Sequence, residues 1–260
     1  MRSGSQQVEV YDAKTCTLQR HVSIPGLGVH RGPCGLAACD HYQCLYASDF
    51  TNNRIHRAEL TGSNAVMEWS VASGPRGLSV NQAHNVVVAC WKENEAGLLE
   101  YTTHGTLVRE FSPKNALTEP WHAVQLSTGD YVVSHWTSPT VVSVVGANGQ
   151  VVRRCGPSIE QLVCIRVKKC FLHASHSSDL GQMEHPTSLA VTKNDDIFVA
   201  DSGNNRILSL DSSLSSAHEL ALPVDVGIER PCGLCLDESR GRLYISEGRK
   251  QRRVLVFDGV

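Results

Sequence analysis

Along most of the chain, short apolar runs alternate with polar turns, and the alternation itself repeats. The stretch HPTSLAVTKNDDIFVADSGNNRILSLD, His185 to Asp211, contains one whole unit. A proline opens an apolar run, a turn follows at Lys193 to Asp196, and a second apolar run ends in Asp201. A Gly/Asn turn then leads through Arg206 into a third run. Short runs rich in Val, Ile, Leu and Tyr, bounded by Gly, Asn and Asp, predict β-strands.

The unit recurs five times, opening at Pro33, Pro75, Pro120, Pro186 and Pro231 in GPCGLAAC, GPRGLSV, EPWHAVQL, HPTSLAV and RPCGLCL. The second runs are QCLYASD, HNVVVACW, DYVVSHW, DIFVAD and RLYISE, which end at Asp49, Trp91, Trp136, Asp201 and Glu247. These ends follow their prolines by 16, 16, 16, 15 and 16 residues, and the prolines are 42, 45, 66 and 45 apart. Most of these intervals match the roughly 40–50 residues of a propeller blade. RIHRAEL, LLEYTTHG and VVSVVGANG supply third strands, GTLVREFS and QVVRRCG fourth ones. Four antiparallel strands per repeat, without a long amphipathic helix, predict an all-β fold: a β-propeller of four-stranded blades. A single such sheet cannot bury both faces, so the blades must pack on one another.

The wording of the repeats narrows the class. HPTSLAVTKNDDIFVADSGNNRILSLD and GPCGLAACDHYQCLYASDFTNNRIHRAEL resemble NHL repeats, and RPCGLCLDESRGRLYISEGRKQRRVLVFD is similar with one extra turn residue. The resemblance covers most of the chain and is looser around Trp91 and Trp136. It implies a six-bladed propeller that binds protein or RNA, like the C-terminal recognition module of tripartite-motif ubiquitin ligases.

Two features break the regularity. Residues 7–24 read as the last two strands of a further blade, while the chain stops after a third strand, VLVFDGV. The strand count is therefore 21, short of six full blades, and implies a truncated propeller: five full or nearly full blades plus a partial one, in a single domain over residues 1–260. The 66-residue interval carries a surplus of 21 within PSIEQLVCIRVKKCFLHASHSSD. Residues 159–174 are read as an insertion, either a docking peptide or, the favoured reading, a segment without a role.

Composition adds limits. With 41% hydrophobic and 19% charged residues, the 260-residue chain is an ordinary globular protein able to bury a core. A net charge of −2 provides no global field for nucleic acid or an anionic membrane. The polar start, MRSGSQQVEV, lacks a signal-peptide core, and no apolar run approaches a membrane span of roughly 20 residues. Ten cysteines without a secretion signal then read as reduced thiols in a cytoplasmic protein.

Candidate chemistry is sparse. Asp49 with Arg54 and Asp201 with Arg206 flank equivalent turns, and recurrence argues for structural pairs across the turn rather than acid–base catalysis. Glu247 and Arg253 are a third instance, with one extra residue between them. NHL relatives with lyase or lactonase activity imply axial ligands where innermost strands begin, but the residues two after each proline are Gly35, Gly77, His122, Ser188 and Gly233. One histidine falls short of the three protein ligands of a catalytic zinc, so no metal and no cofactor are expected. Cys232 and Cys235 form an isolated CxxC, while Cys39 and Cys44, like Cys164 and Cys170, flank turns; all are read as reduced thiols.

Recognition is expected on the loops around the ends of the second strands. Phe50, Arg76, Trp91, Lys92, Trp121, His122 and Trp136 would lie there with Arg249, Lys250 and Arg252 of EGRKQRR. Basic residues exceed acids by only two on that face, so a protein partner is favoured over single-stranded RNA, with no membrane and no small-molecule substrate. The expected function is a non-enzymatic binding module, which in a ubiquitin ligase would select the substrate. The alternative is a propeller lyase or hydrolase with a metal on its axis.

Overall fold

The second strand of each repeat is a nearly unbroken apolar run because it lies inside its blade with both faces covered. CLYASD (Cys44–Asp49), YVVSH (Tyr131–His135) and IFVAD (Ile197–Asp201) are buried along their whole length. The outer strands LVREF (Leu107–Phe111) and VVRRC (Val151–Cys155) are mostly solvent-facing and carry the charges. These strands belong to a computed structural model that describes residues 6–28, 35–61, 65–92, 95–111, 117, 119–136, 142–155, 183–221, 227–248 and 253–260.

The chain forms two compact units, Met1–Ser112 and Pro113–Val260. The first holds a two-stranded sheet, β1 (Gln7–Tyr11) and β2 (Leu18–Ser23), and two four-stranded sheets. These are β3 (Leu36–Cys39), β4 (Cys44–Asp49), β5 (Arg54–Glu59) and β6 (Val66–Ser70), then β7 (Pro75–Val80), β8 (Val86–Lys92), β9 (Glu95–Tyr101) and β10 (Leu107–Phe111). The second unit has β11 (Pro120–Gln125), β12 (Tyr131–His135), β13 (Val142–Val145) and β14 (Val151–Cys155) in one sheet. Another comprises β15 (Pro186–Val191), β16 (Ile197–Asp201), β17 (Arg206–Leu210) and β18 (Ala217–Glu219). A three-stranded sheet follows: β19 (Pro231–Asp237), β20 (Arg242–Glu247) and β21 (Val254–Asp258). Every sheet is antiparallel with its strands in chain order, the meander of a β-propeller blade. Among the described residues the helices are two three-residue turns, and none is long and apolar enough to cross a membrane. The insertion read at 159–174 lies outside the described residues.

Each unit has its own core. In the first, Tyr46, Ile55, Leu78, Val86, Val88 and Leu99 pack between β3–β6 and β7–β10. In the second, Leu126, Val132, Val144, Leu189, Val199 and Leu208 join β11–β14 to β15–β18. Ala200, Ile207, Leu243 and Ile245 continue that packing to β19–β21.

Register corrects the reading of the second runs. Pro186 pairs with Asp201 and Pro231 with Glu247, whereas Pro75 pairs with Cys90 and Pro120 with His135. Cys90 and His135, not Trp91 and Trp136, are thus the equivalents of Asp201. The strand partners lie 15 residues after Pro75, Pro120 and Pro186 and 16 after Pro231, so the apolar runs of the second and third repeats extend one residue, a tryptophan, past the slot. All four innermost strands that begin with these prolines change register immediately afterwards, a bulge that re-aims the first side chains.

The carboxylates in this slot fasten neighbouring segments together. Asp201 accepts from the Glu184 N–H at 2.6 Å, from Asn204 Nδ2 at 2.8 Å and from Arg206 Nε at 2.8 Å. Glu247 accepts from the Glu229 N–H at 2.7 Å and from Arg253. Glu184 and Glu229 each lie two residues before an opening proline, so each acid ties the lead-in of its blade to the turn after the second strand. Asp49 accepts from the Gly28 N–H at 2.7 Å and from the Asn52 N–H and side-chain amide at 3.0 and 2.8 Å. Its expected pairing with Arg54 is not formed. Arg54 turns to Glu68 on β6, and Asp49 instead faces the buried His56 at 3.6 Å. Both bonding sites of the Asp49 carboxylate are occupied by Gly28 and Asn52, whereas Glu68 lies open to an exposed guanidinium.

Candidate functional site

In the second unit the residue before each opening proline adopts a left-handed backbone: Glu119 at φ 46°, His185 at 53° and Arg230 at 49°. This region is sparsely populated by non-glycine residues, and the proline restricts its predecessor further. Such a conformation costs on the order of 1–3 kcal/mol and persists only when its surroundings enforce it. Here the carbonyls of Glu119, His185 and Arg230 cap the second strands by accepting from the N–H groups of Trp136, Ser202 and Gly248 at 3.0, 3.3 and 3.0 Å. The Arg230 N–H also donates to Asn205 Oδ1 at 2.8 Å. The strain holds an acid, an imidazole and a guanidinium at equivalent positions of three successive blades.

Hydrogen bonds between blades bring these positions side by side. Ser134 Oγ donates to the Thr187 carbonyl at 3.0 Å, and Thr187 Oγ1 to the Pro231 carbonyl at 3.2 Å. Aromatic stacking completes the row. Trp121 and Trp136 stack at 4.5 Å with 24° between their planes, and Trp136 and His185 at 4.4 Å with 28°. All three rings are half-buried, and His185 Nδ1 is covered without a hydrogen-bond partner. Imidazole is the side chain best suited to give and take a proton near neutral pH, a carboxylate is a second proton carrier, and a guanidinium steadies a negative charge.

The residues assigned to a recognition face divide between the units. In the first, the Arg76 guanidinium lies 5.7 Å from the Phe50 ring centre and 4.9 Å from that of Trp91. In the second, Trp121 and Trp136 stand with His185. His122 faces the neighbouring blade: its Nδ1 accepts from the Leu189 N–H at 3.1 Å, as Ser188 Oγ accepts from the Leu234 N–H at 3.0 Å. That bond puts the proton of a neutral His122 on Nε2. Lys92 ends β8. Arg249, Lys250 and Arg252 lie outside the described residues, as do Cys164 and Cys170. Cys39 and Cys44 are cross-strand partners buried in the core, and Cys232 and Cys235 are exposed on β19; none of the four is in a disulfide.

Among the described residues no three His, Cys, Asp or Glu side chains converge, and the one imidazole at the expected ligand positions, His122, already spends Nδ1 on Leu189. His185 lies before its proline, not among the expected ligand positions two residues after each proline. The signal lay one place earlier, where Gly32, Gly74, Glu119, His185 and Arg230 align.

Comparison with known proteins follows the fold. Residues 184–208 match the NHL repeat family. No curated protein matches significantly. Among solved structures, the chain is similar to one in a nidogen/laminin complex, with 14% identity, TM-score 0.71, and coverage of 98% of this chain and 87% of that one. It is similar to virginiamycin B lyase from Staphylococcus aureus, with 10% identity, TM-score 0.63, and coverage of 99% and 78%. A gluconolactonase from Xanthomonas campestris gives 16% identity, TM-score 0.59, and coverage of 86% and 72%. The expectation of a non-enzymatic module selecting substrates for a ubiquitin ligase is overturned here, since enzymes recur among the propellers it resembles and favour the lyase or hydrolase alternative. The chain is thus a β-propeller that carries an NHL repeat.

Proposed function

We propose that this propeller is an enzyme of the lyase or hydrolase kind, working on the row formed by Glu119, His185 and Arg230. The observation that carries the reading is His185, an imidazole in a left-handed backbone and stacked on Trp136, with an acid and a guanidinium at the equivalent positions of the blades before and after it. In the proposed reaction His185 removes a proton from the substrate or from water and returns it to the leaving group. Arg230 steadies the negative charge that develops, and Glu119 is the second proton carrier. No step is routed through a metal, because among the described residues no donor set gathers.

Two relatives in fold support this class. Virginiamycin B lyase from Staphylococcus aureus is made catalytically inactive by replacing one histidine with alanine, and another relative is a gluconolactonase. The test is conversion of gluconolactone or quinupristin by the purified chain, followed by chromatography and mass spectrometry. A product that appears with the wild-type chain supports the proposal, and inertness toward a broad panel of cyclic esters would sink it.

A further inference from the structure

We infer that this face takes a substrate that carries a carboxylate beside a flat ring, with the carboxylate on Arg230 and the ring against the Trp121–Trp136 slab. The inference rests on the enzymatic reading for its site, but concerns recognition rather than turnover.

The row has a direction. Glu119 begins it at β11, His185 stands in the middle at β15, and Arg230 ends it at β19. The two tryptophans lie on the Glu119 side of His185, because Trp121 follows Pro120 and Trp136 follows the strand partner of Pro120. A ligand that spans the imidazole therefore meets aromatic surface at one end and a guanidinium at the other.

Arg230 is built to hold an anion. Its N–H is fixed by Asn205 Oδ1 and its carbonyl by the Gly248 N–H, so the side chain leaves from a backbone pinned at both ends. The side chain itself is exposed. A planar guanidinium on a rigid base recognises carboxylates through paired hydrogen bonds in its own plane. Glu247, the strand partner of the following Pro231, is occupied. It is engaged by Arg253 and the Glu229 N–H. Glu119, the acid within the row, lies two blades away and would repel a carboxylate at the wrong end, which fixes the orientation of the ligand.

Stacking defines the other half. Trp121, Trp136 and His185 form one continuous slab of three half-buried rings. Flat rings add to such a slab by dispersion and offset stacking, without needing a hydrogen bond in return. An aliphatic acid would use only Arg230, and a neutral aromatic only the slab.

The experiment uses cinnamate, its neutral analogue cinnamamide, and acetate as probes, with binding followed by calorimetry and quenching of tryptophan fluorescence. Wild-type protein should bind cinnamate at least about tenfold more tightly than cinnamamide, the smaller end of what a charge-assisted hydrogen bond gives. Arg230→Gln should remove that preference and leave cinnamamide binding unchanged. Trp136→Leu should weaken both aromatic probes and leave acetate unaffected. Equal affinity of wild-type protein for the acid and the amide, or a preference that survives Arg230→Gln, would overturn the inference. Binding is measured without turnover, so the enzymatic reading fails separately, by an acid preference in a chain that converts nothing.

Discussion

Replacing Asp201 should be among the most damaging changes in the second unit. Its carboxylate is fully buried and accepts three hydrogen bonds, from the Glu184 N–H, Asn204 and Arg206. Asp201→Ala leaves a partly buried N–H and a largely buried guanidinium unmet, a loss of about 3 kcal/mol. Arg206→Ala keeps two of the three bonds and should cost about 2 kcal/mol. Arg206 also reaches Glu219 at 3.8 Å, but that acid is exposed and adds little. The double variant should therefore show a coupling of about 1–2 kcal/mol, read as the shift in urea unfolding free energy around the cycle. The equivalent cycle at Asp49 and Arg54 is an internal control. There Arg54 pairs with Glu68, so coupling should fall within about 0.5 kcal/mol of zero. Equal coupling in the two cycles, or none at Asp201, would refute the assignment of the buried carboxylates as fasteners.

Gly74→Ala should cost about 1–3 kcal/mol in chemical denaturation, because the added carbon would sit 2.6 Å from the Phe50 ring and 2.9 Å from the Trp91 carbonyl. Stability should also fall on acidification in two stages, seen as the thermal midpoint against pH. Burial holds the His56 imidazole below its usual range against the pull of Asp49, so the unfolded chain takes its proton first once pH drops below about 6.5. Asp49, Glu100 and Glu247 contribute the second stage. Burial raises the first two, but hydrogen bonds from Asn52 and Gly28, and from Asn85, Arg109 and Asn81, outweigh it, while Arg253 leads the lowering of Glu247. Their stabilisation is complete above about pH 4 and lost as the folded carboxylates protonate. His56→Gln should flatten the first stage alone, and an unchanged profile would remove His56 from the account.

Blade architecture was legible because it is a matter of local pattern. A proline, two apolar runs and a Gly/Asn turn recur with little variation, and each prescribes strands and hairpins wherever it stands. Contacts that depend on side-chain choice across the sheet were not legible. Arg54 and Arg206 occupy the same sequence position, yet Glu68 on β6 draws the first away from its turn while the second remains with Asp201. The tryptophans that extend the second and third repeats' apolar runs by one residue likewise concealed that Cys90 and His135 take the acid slot. The candidate site was half visible: Trp121 and Trp136 could be placed on a face, but not stacked. His185 was hidden in plain view before its proline, because left-handed backbone at a histidine has no compositional signature.

The central claim is that His185 performs proton transfer on a propeller face. Its most direct test compares kcat/KM of wild-type protein and His185→Gln on the first cyclic ester that the wild type converts, with circular dichroism verifying that both are folded. The account predicts a fall of roughly 10²–10⁴-fold, the contribution of a positioned general acid–base. Activity within about twofold of wild type would contradict it, since a proton carrier cannot be removed at so small a loss.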